Sequence, residues 1–449
     1  MLTFKHGVHP DEKKELSKDK PIKQIKAGKI LSYPLSQHLG KPAKPNVNVG
    51  DSVRVGQIIA DADGVISANV LSTVSGTVKA IEERLIVLGA KVQSIIVEND
   101  EKYETIEGFG KERDIDSLTK EDVIKIVKDA GIVGLGGASF PTHVKLSPPD
   151  PTKIDFVLVN GAECEPYLTS DYRLMLEETD MIVTGLRCML KAFPNAKGMI
   201  CIEDNKIDAY EKVKKAAEGI KNIEVALMKT KYPQGGEREL IYAATGRKIN
   251  VKMLPADAGV VVDNLDTVVC VGYAVAKSIP LLRRIMTLSG DAWNETGNYK
   301  VPLGVTYNEL VEQAGGFKVE PKKMISGGPM MGLPLFTLDN LVVTRNSSAL
   351  LAFSEDPLKD DRETNCINCG RCVTACPIFL TPTKLYKAAK SGDFEKYIKL
   401  GGEECITCGS CSYVCPAKKP LTPYFSYMKF AVRTYLADKK SAVEKKEAK

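Results

Sequence analysis

No stretch of this 449-residue sequence approaches the ~18 consecutive apolar residues that a membrane span requires. The first segment, Met1 to Pro21, is polar and charged and holds no signal-peptide core. There is no charge excess either: 62 Lys and Arg against 57 Asp and Glu leave +5, which makes no case for a nucleic-acid partner. Nor does the chain read as a disulfide scaffold, because eight of its 12 cysteines fall into two tight runs. The other four, Cys164, Cys188, Cys201 and Cys270, are scattered and read as small buried hydrophobes. These absences point to a reducing compartment and to a cytoplasmic protein that could dock on a membrane complex. Apolar residues at 43% and charged residues at 27% are ordinary for globular protein, and the length implies two to four domains with ample core.

What the chain does have lies near its end. One run reads Cys366-Ile-Asn-Cys369-Gly-Arg-Cys372-Val-Thr-Ala-Cys376-Pro377, the other Cys405-Ile-Thr-Cys408-Gly-Ser-Cys411-Ser-Tyr-Val-Cys415-Pro416. Both follow C-x2-C-x2-C-x3-C-P, which resembles the bacterial two-cluster ferredoxin run. There, three cysteines hold one [4Fe–4S] cube and the fourth ligates the other. On that pattern Cys366, Cys369, Cys372 and Cys415 hold the first cube, and Cys405, Cys408, Cys411 and Cys376 the second. Structural zinc fits poorly, since zinc sites pair two cysteines with two later ligands. Single electrons pass through this region, and the rest of the chain must feed or drain them.

Residues 1–30 read as an extended lead-in. From Ile30 to about Val97 short alternating strands turn at glycines such as Gly50 and Gly56, and the two halves resemble those of a biotinyl/lipoyl barrel-sandwich domain. That resemblance implies a swinging cofactor on a lysine of the central hairpin. Here the hairpin from Asp61 to Leu71 has no lysine, so an unmodified docking module is expected. A charged linker over 105–120 leads to Thr119-Lys-Glu-Asp122, a capping box opening a helix. Ile154 to Val159 reads as a buried strand, and from Asp180 helices and strands alternate, implying a parallel α/β sheet. A helix from about Asn264 to Ala276 follows. Residues 297–345 resemble a soluble-ligand-binding β-grasp module with a short helix after Thr306. Pro382–Lys399 should be largely helical, and the Lys/Glu/Ala-rich tail from Ala437 frayed or helical.

Gly134-Leu-Gly136-Gly137-Ala-Ser139 nearly matches G-x-G-x-x-G/A, but position six is serine and the loop follows a helix, where a Rossmann fingerprint follows a strand. By itself it reads as a phosphate cradle or as a plain turn. The longer text, G-x-G-G-A-x-F-P-T-x-x-K and then N-G-x-E-x-E-P, resembles the flavin-binding subunit of respiratory complex I and its NAD-linked hydrogenase relatives. The resemblance implies that Gly134, Gly136, Gly137 and Lys145 lie near the FMN phosphate and ribityl chain. It places Phe140 beside the nicotinamide, and Asn160, Glu163 and Glu165 along the flavin and dinucleotide pocket, although the two acids also read as loop or helix caps. Tyr232, Gly236 and Glu237 would match the family's G-E-E-T loop and Asp263 and Asn264 its paired asparagines. Leu135, Ala162 and Arg238 depart from the family pattern; Arg238 reads equally as a phosphate contact or an ion-pair member. His143 reads as a loop histidine.

The module order resembles the C subunits of Rnf-type membrane complexes. The implied fold is multidomain α/β and α+β. It comprises an N-terminal extension (1–30), a barrel-sandwich domain (31–104), a Rossmann-like FMN/NADH domain (105–296), a β-grasp module (297–349), a two-cluster ferredoxin-like domain (350–436) and a charged tail (437–449). The implied function is a peripheral subunit on the cytoplasmic side of the cell membrane. It passes electrons between NAD(H), FMN and two [4Fe–4S] clusters, with an iron–sulfur ferredoxin-like subunit and integral membrane subunits as partners. No side chain need serve as nucleophile or obligatory acid, because the chemistry belongs to the cofactors. The competing readings are a soluble NADH-dependent corrinoid reductase and a flavin-less electron-transfer adaptor.

Overall fold

A computed structural model describes residues 1–356, 358–360 and 362–447. The chain divides into two compact units. One comprises Met1–Leu2, Glu12–Thr230 and Pro255–Asp356; the other takes Thr3–Asp11, Lys231–Leu254 and the described residues from Leu358 onward.

In the larger unit, two small antiparallel sheets form the barrel-sandwich part. One runs in the order Ile30–Pro34, Lys91–Asn99, Gly76–Leu85, Ser52–Val53, the other Lys44–Pro45, Ile58–Asp61, Val70–Leu71. Leu31, Ile59, Val78, Ile95 and Val97 fill the space between them, all fully buried.

A four-stranded sheet follows, in the order Ile223–Met228, Lys197–Glu203, Phe156–Gly161, Val260–Asn264, and every pairing is parallel. Its strands read as continuous apolar runs because helices cover such sheets on both faces. Val157, Leu158, Val159, Ile200 and Ile202 are accordingly at zero exposure. The helices begin where the chain supplies caps. Thr119 and Asp122 form a reciprocal capping box at Lys120–Asp129, and the Asn264 side chain accepts from Asp266 N at Leu265–Lys277. Thr179–Leu190 packs closely on Leu265–Lys277 because a Cβ on Gly185 would stand 1.9 Å from the Val268 carbonyl oxygen. Cys188, Cys201 and Cys270 are buried, and burial pushes each thiol up to about 12, so they behave as inert apolar groups.

The third part is a six-stranded mixed sheet in the order Ile22–Gln24, Gly297–Pro302, Arg283–Ser289, Ala349–Phe353, Lys323–Ser326, Leu333–Leu335. The helix after Thr306 spans Tyr307–Gln313 and has its own capping box with Glu309. The lead-in is thus more than extended chain. Ile22–Gln24 joins this sheet beside Gly297–Pro302, and Leu2 forms a parallel bridge with Met228.

In the smaller unit, the expected Pro382–Lys399 helix is two: Pro382–Lys390 and Phe394–Lys399, interrupted at Gly392, whose φ is +67°. The tail is one helix, Leu421–Glu447, which buries Leu421, Phe425, Met428 and Val432 against Leu385, Ala388 and Tyr397. Among the described residues no helix is long and apolar enough to cross a membrane.

Candidate flavin and iron–sulfur sites

The parallel sheet positions the first site. Phe156–Gly161 has one neighbour on each side, and Asn160 pairs with Cys201 on one and Asn264 on the other. The carboxyl ends of these strands form the crevice where open α/β sheets bind ligands. Five residues singled out in the sequence meet there. A Cβ on Gly134 would stand 3.3 Å from Lys145 Nζ and 3.7 Å from Asp263 Oδ1, and one on Gly136 would collide with Asn264 Cβ at 2.8 Å. At position 136 only glycine lets the loop lie so close to the strand end. Gly137 has nothing within 4 Å and borders open space. The Gly134 N–H donates to the Phe140 carbonyl at 2.8 Å, closing the loop, and Ser139 at its corner is left-handed with φ +53°.

Lys145 donates to the Val262 carbonyl and to Asp263 Oδ1, both at 2.8 Å. Asp263 is buried, and burial raises its carboxyl against the opposing pull of Lys145. Its second oxygen, Oδ2, is buried without a protein partner. The site therefore holds a cation and an orphaned acceptor side by side.

The acidic loop is the second wall. Glu163, left-handed at φ +47°, caps the helix Ser170–Glu177: Oε1 accepts from Asp171 N at 2.7 Å and Oε2 from Tyr172 N at 3.2 Å. Asp171 in turn accepts from Asn264 Nδ2 at 2.7 Å. Burial first, then the neighbouring Glu163 and Asp266 charges, hold the Asp171 carboxyl well above the usual range. Glu165 accepts from Met330 N at 3.0 Å, on the tight turn of the mixed sheet. Asn160 Oδ1 accepts from Ala162 N at 3.3 Å.

Two buried lysines that no sequence signal marked hold this loop. Lys14 Nζ donates to the carbonyls of Glu163 at 2.9 Å, Glu165 at 3.0 Å and Leu168 at 2.6 Å. Lys206 Nζ donates to the Ala162 carbonyl at 2.8 Å, to Asn205 Oδ1 at 2.8 Å and to Glu203 Oε2 at 3.2 Å. Burial lowers the Lys14 ammonium below its ordinary value. A signal for Lys14 and Lys206 would have required knowing which carbonyls lacked partners, and sequence does not show that.

The family departures lie inside the fold. Leu135 is buried; its N–H donates to Thr267 Oγ1 and its carbonyl accepts from Arg284 Nη2. Ala162 is fully buried. His143 is half-buried, and burial, helped by Lys128, lowers its imidazole to about 4, so it stays neutral near pH 7.

Tyr232, Gly236, Glu237 and Arg238 belong to the smaller unit. The Tyr232 hydroxyl donates to the Cys408 carbonyl at 2.6 Å. Gly236 precedes the helix Glu237–Thr245, which ends at the left-handed Gly246. Arg238 is an ion-pair member, 2.7 Å from Glu404 Oε2.

The cysteines of that unit gather into two sets. After burial, the neighbouring Cys415 and then Cys369 raise the Cys372 thiol. Burial also raises Cys411, followed by Cys408, Cys405 and then Cys376. Cys376, Cys405, Cys408 and Cys411 line one cavity together with Leu380, Leu385 and Phe425. Cys415 thus lies by the first run and Cys376 by the second. Among the described residues no three potential ligands converge on a point fit for a single metal ion. The thiolates of a cubane bind separate irons at the corners of a cube, which is a wider arrangement.

Four family models match successive parts of the chain: the RnfC barrel sandwich hybrid domain (residues 2–102), the Nuo51 FMN-binding domain (127–273), the SLBB domain (285–334) and the 4Fe-4S dicluster domain (358–416). The C subunit of the proton-translocating ferredoxin:NAD+ oxidoreductase complex of Clostridium ljungdahlii is 42% identical, over all of this chain and 96% of that protein. The chain belongs to the family of Rnf-type C subunits. The corresponding protein of the Na+-translocating complex of Acetobacterium woodii is 41% identical over 88% of this chain and 89% of its own. That of the ion-translocating oxidoreductase of Rhodobacter capsulatus is 36% identical over 95% and 83%. Among solved structures, the H2-reduced NAD+-reducing [NiFe]-hydrogenase aligns at 20% identity and TM-score 0.48, over 71% of this chain and 61% of that one. The donor sets fit what the models name. Cys369, Cys372 and Cys415 on one side and Cys376, Cys405, Cys408 and Cys411 on the other offer the soft thiolates that cubanes take, and the glycine loop with Lys145, Asp263 and Asn264 at the strand ends suits a phosphorylated flavin.

Proposed function

We propose that this Rnf-type protein passes electrons between NAD(H) and a one-electron iron–sulfur partner, using FMN and two [4Fe–4S] clusters. The convergence of Gly134, Gly136, Lys145, Asp263 and Asn264 at the carboxyl ends of two parallel strands carries the reading. Main-chain N–H groups of the glycine loop and the Lys145 ammonium would hold the flavin phosphate and ribityl chain, while Asn160, Asn264 and the orphaned Asp263 oxygen supply polar contacts. Phe140 and the acids Glu163 and Glu165 stand on the two loops that border the dinucleotide. Tyr232, Gly236 and Glu237 are the family's third loop. When bound, FMN exchanges electron pairs with NAD(H) and single electrons with the cubes.

The protein's own part is to orient, to exclude water and to hold charge. Lys14 and Lys206 hold the acidic loop through its main-chain carbonyls. The first cube takes Cys366, Cys369, Cys372 and Cys415, the second Cys405, Cys408, Cys411 and Cys376. The protein is peripheral, on the cytoplasmic side of the cell membrane, joined to integral membrane subunits and a ferredoxin-like iron–sulfur subunit that couple the transfer to ion movement. The divisions at 31–104, 105–296, 297–349 and 350–436 mark its functional modules. The test is anaerobic reconstitution of the full chain with flavin and iron, then NADH addition followed by absorbance and EPR. Bleaching of the flavin and appearance of reduced-cluster signals are expected. If NADH changes neither, the dinucleotide assignment is wrong.

A further inference from the structure

The two cysteine runs are equivalent in sequence and unequal in surroundings. In the set of Cys366, Cys369, Cys372 and Cys415, Cys366 and Cys369 are exposed, with Ile367 between them 70% exposed, while Cys372 is buried and Cys415 half-buried. In the other set Cys376 and Cys408 are buried, and Cys405 and Cys411 are half-buried. Main-chain donors also reach the sulfurs of this second set: Leu380 N lies 3.3 Å from Cys376 Sγ and Thr407 N lies 3.4 Å from Cys405 Sγ.

Two side chains from far away in sequence then fix the peptides of its ligands. The Tyr232 hydroxyl, on a residue 1% exposed, donates to the Cys408 carbonyl. His6 Nδ1 lies 3.0 Å from the Cys376 carbonyl, and since a carbonyl only accepts, Nδ1 carries the proton. The His6 ring rests on Phe379, with centroids 4.4 Å apart. The backbone completes a strap. Val8 and Tyr232 exchange both main-chain hydrogen bonds, at 2.8 and 2.9 Å, and Gly7 N donates to the Ala375 carbonyl at 3.2 Å. The N-terminal segment Thr3–Asp11 and the Tyr232 loop are thereby tied to each other and to one cluster's ligands.

We propose that the two cubes are unequal by construction. The cube of Cys405, Cys408, Cys411 and Cys376 is an enclosed relay whose ligand peptides are held by Tyr232 and His6. The cube of Cys366, Cys369, Cys372 and Cys415 is the solvent-facing port that external one-electron carriers reach. Tyr232 and His6 are positioning residues. Hydrogen bonding and solvent exposure are among the factors that set cluster potential, so the enclosed cube differs in potential from the port.

The inference rests on the iron–sulfur reading above, and its test separates the two. The full-length holoprotein is treated anaerobically with limiting ferricyanide and an iron chelator. Each ferricyanide takes one electron from the cubes and leaves as ferrocyanide, and iron release is followed optically. Two phases of equal amplitude are expected, and Cys369→Ser removes the fast one. Tyr232→Phe, which deletes one hydroxyl, speeds the slow phase about fivefold, the factor that matches one lost hydrogen bond. In a potentiometric EPR titration it also shifts the midpoint of one signal and leaves the other in place. His6→Ala gives the same pattern independently. Iron lost in a single phase, or both phases altered alike, overturns the inequality of the cubes. A chain that takes up no cubane iron overturns the proposed function and this inference with it.

Discussion

Lys14→Met tests whether a buried lysine builds the acidic wall of the flavin site. The ammonium makes three hydrogen bonds of 2.6 to 3.0 Å to main-chain carbonyls, at Glu163, Glu165 and Leu168. A hydrogen bond involving a charged donor contributes about 1.5–3 kcal/mol, so three amount to about 5–9 kcal/mol gross. Against this stands the desolvation of the ammonium, of the order of several kcal/mol, which the variant no longer bears. Methionine keeps the apolar stem and most of its volume, so the cavity contribution is small. The net expectation is a loss of about 2–4 kcal/mol together with a loosened loop from Glu163 to Leu168. Two readouts follow: chemical denaturation monitored on the α/β unit, and FMN retained per chain after desalting. Stability and FMN content should fall together while iron content stays at the wild-type value. A variant as stable as the parent with full flavin would refute the claim that this ammonium shapes the site. A more stable variant that has lost its flavin would mean the desolvation cost exceeds the three bonds.

Three further outcomes are expected. Lys145→Ala removes the charge beside Gly134 and leaves Asp263 buried without its cation, so FMN per chain drops and iron per chain does not; unchanged flavin fluorescence after acid extraction would count against the assignment. Cys415→Ser should damage the cube of the first run, seen as loss of the rapidly released iron; loss confined to the slowly released iron would mean each run holds its own cube. His38 is held down to about 4 from 6.5, by burial first and then by the Arg345 charge. Its neutral form is the folded form, so its contribution is complete above pH 6.5 and is lost as pH falls through that window to about 4, by about 2 kcal/mol after allowance for partial solvation. His38→Gln should reduce this acid sensitivity in amide exchange of the strands Ile30–Pro34 and Lys91–Asn99, and equal pH profiles for the two proteins would sink the idea.

Much of this molecule is readable from short-range signals. The cysteine spacing, the capping boxes at Thr119 and Thr306, the Asn264 cap and the alternation of apolar runs are local patterns, and local geometry answers to them. What is illegible is long-range. Lys14 sits in a charged stretch, Lys13-Lys14-Glu15, that reads as solvated surface, and its partners lie about 150 residues away. The lead-in reads as plain extended chain because Ile22–Gln24 has no apolar face of its own; its order comes from pairing with Asn298–Lys300. Tyr232 matches a flavin-domain loop by text, yet its hydroxyl is committed to Cys408, 176 residues onward. Sequence similarity places a loop in a family; it does not say which compact unit the loop packs with.

Leu135 and Ala162, where this chain departs from the complex I pattern, bear on how the site is built. Both look like losses of binding side chains, and on that ground a flavin-less adaptor is a fair alternative in the sequence. Leu135 carries its contribution in the main chain: its N–H is fixed by Thr267 and its carbonyl by Arg284, and Arg284 is itself held by Asp266. Ala162 does the same through its carbonyl, which accepts from Lys206. In both loops the side chain is core and the main chain is pinned in place by a neighbouring side chain. A cradle of peptide N–H groups needs small or inward-facing residues, since any outward Cβ would stand between the main chain and a phosphate. The polar side chains gathered at this end of the sheet are Asp263 and Asn264, which the strand Val260–Asn264 supplies, and Lys145, which the short helix Thr142–Lys145 brings to Asp263.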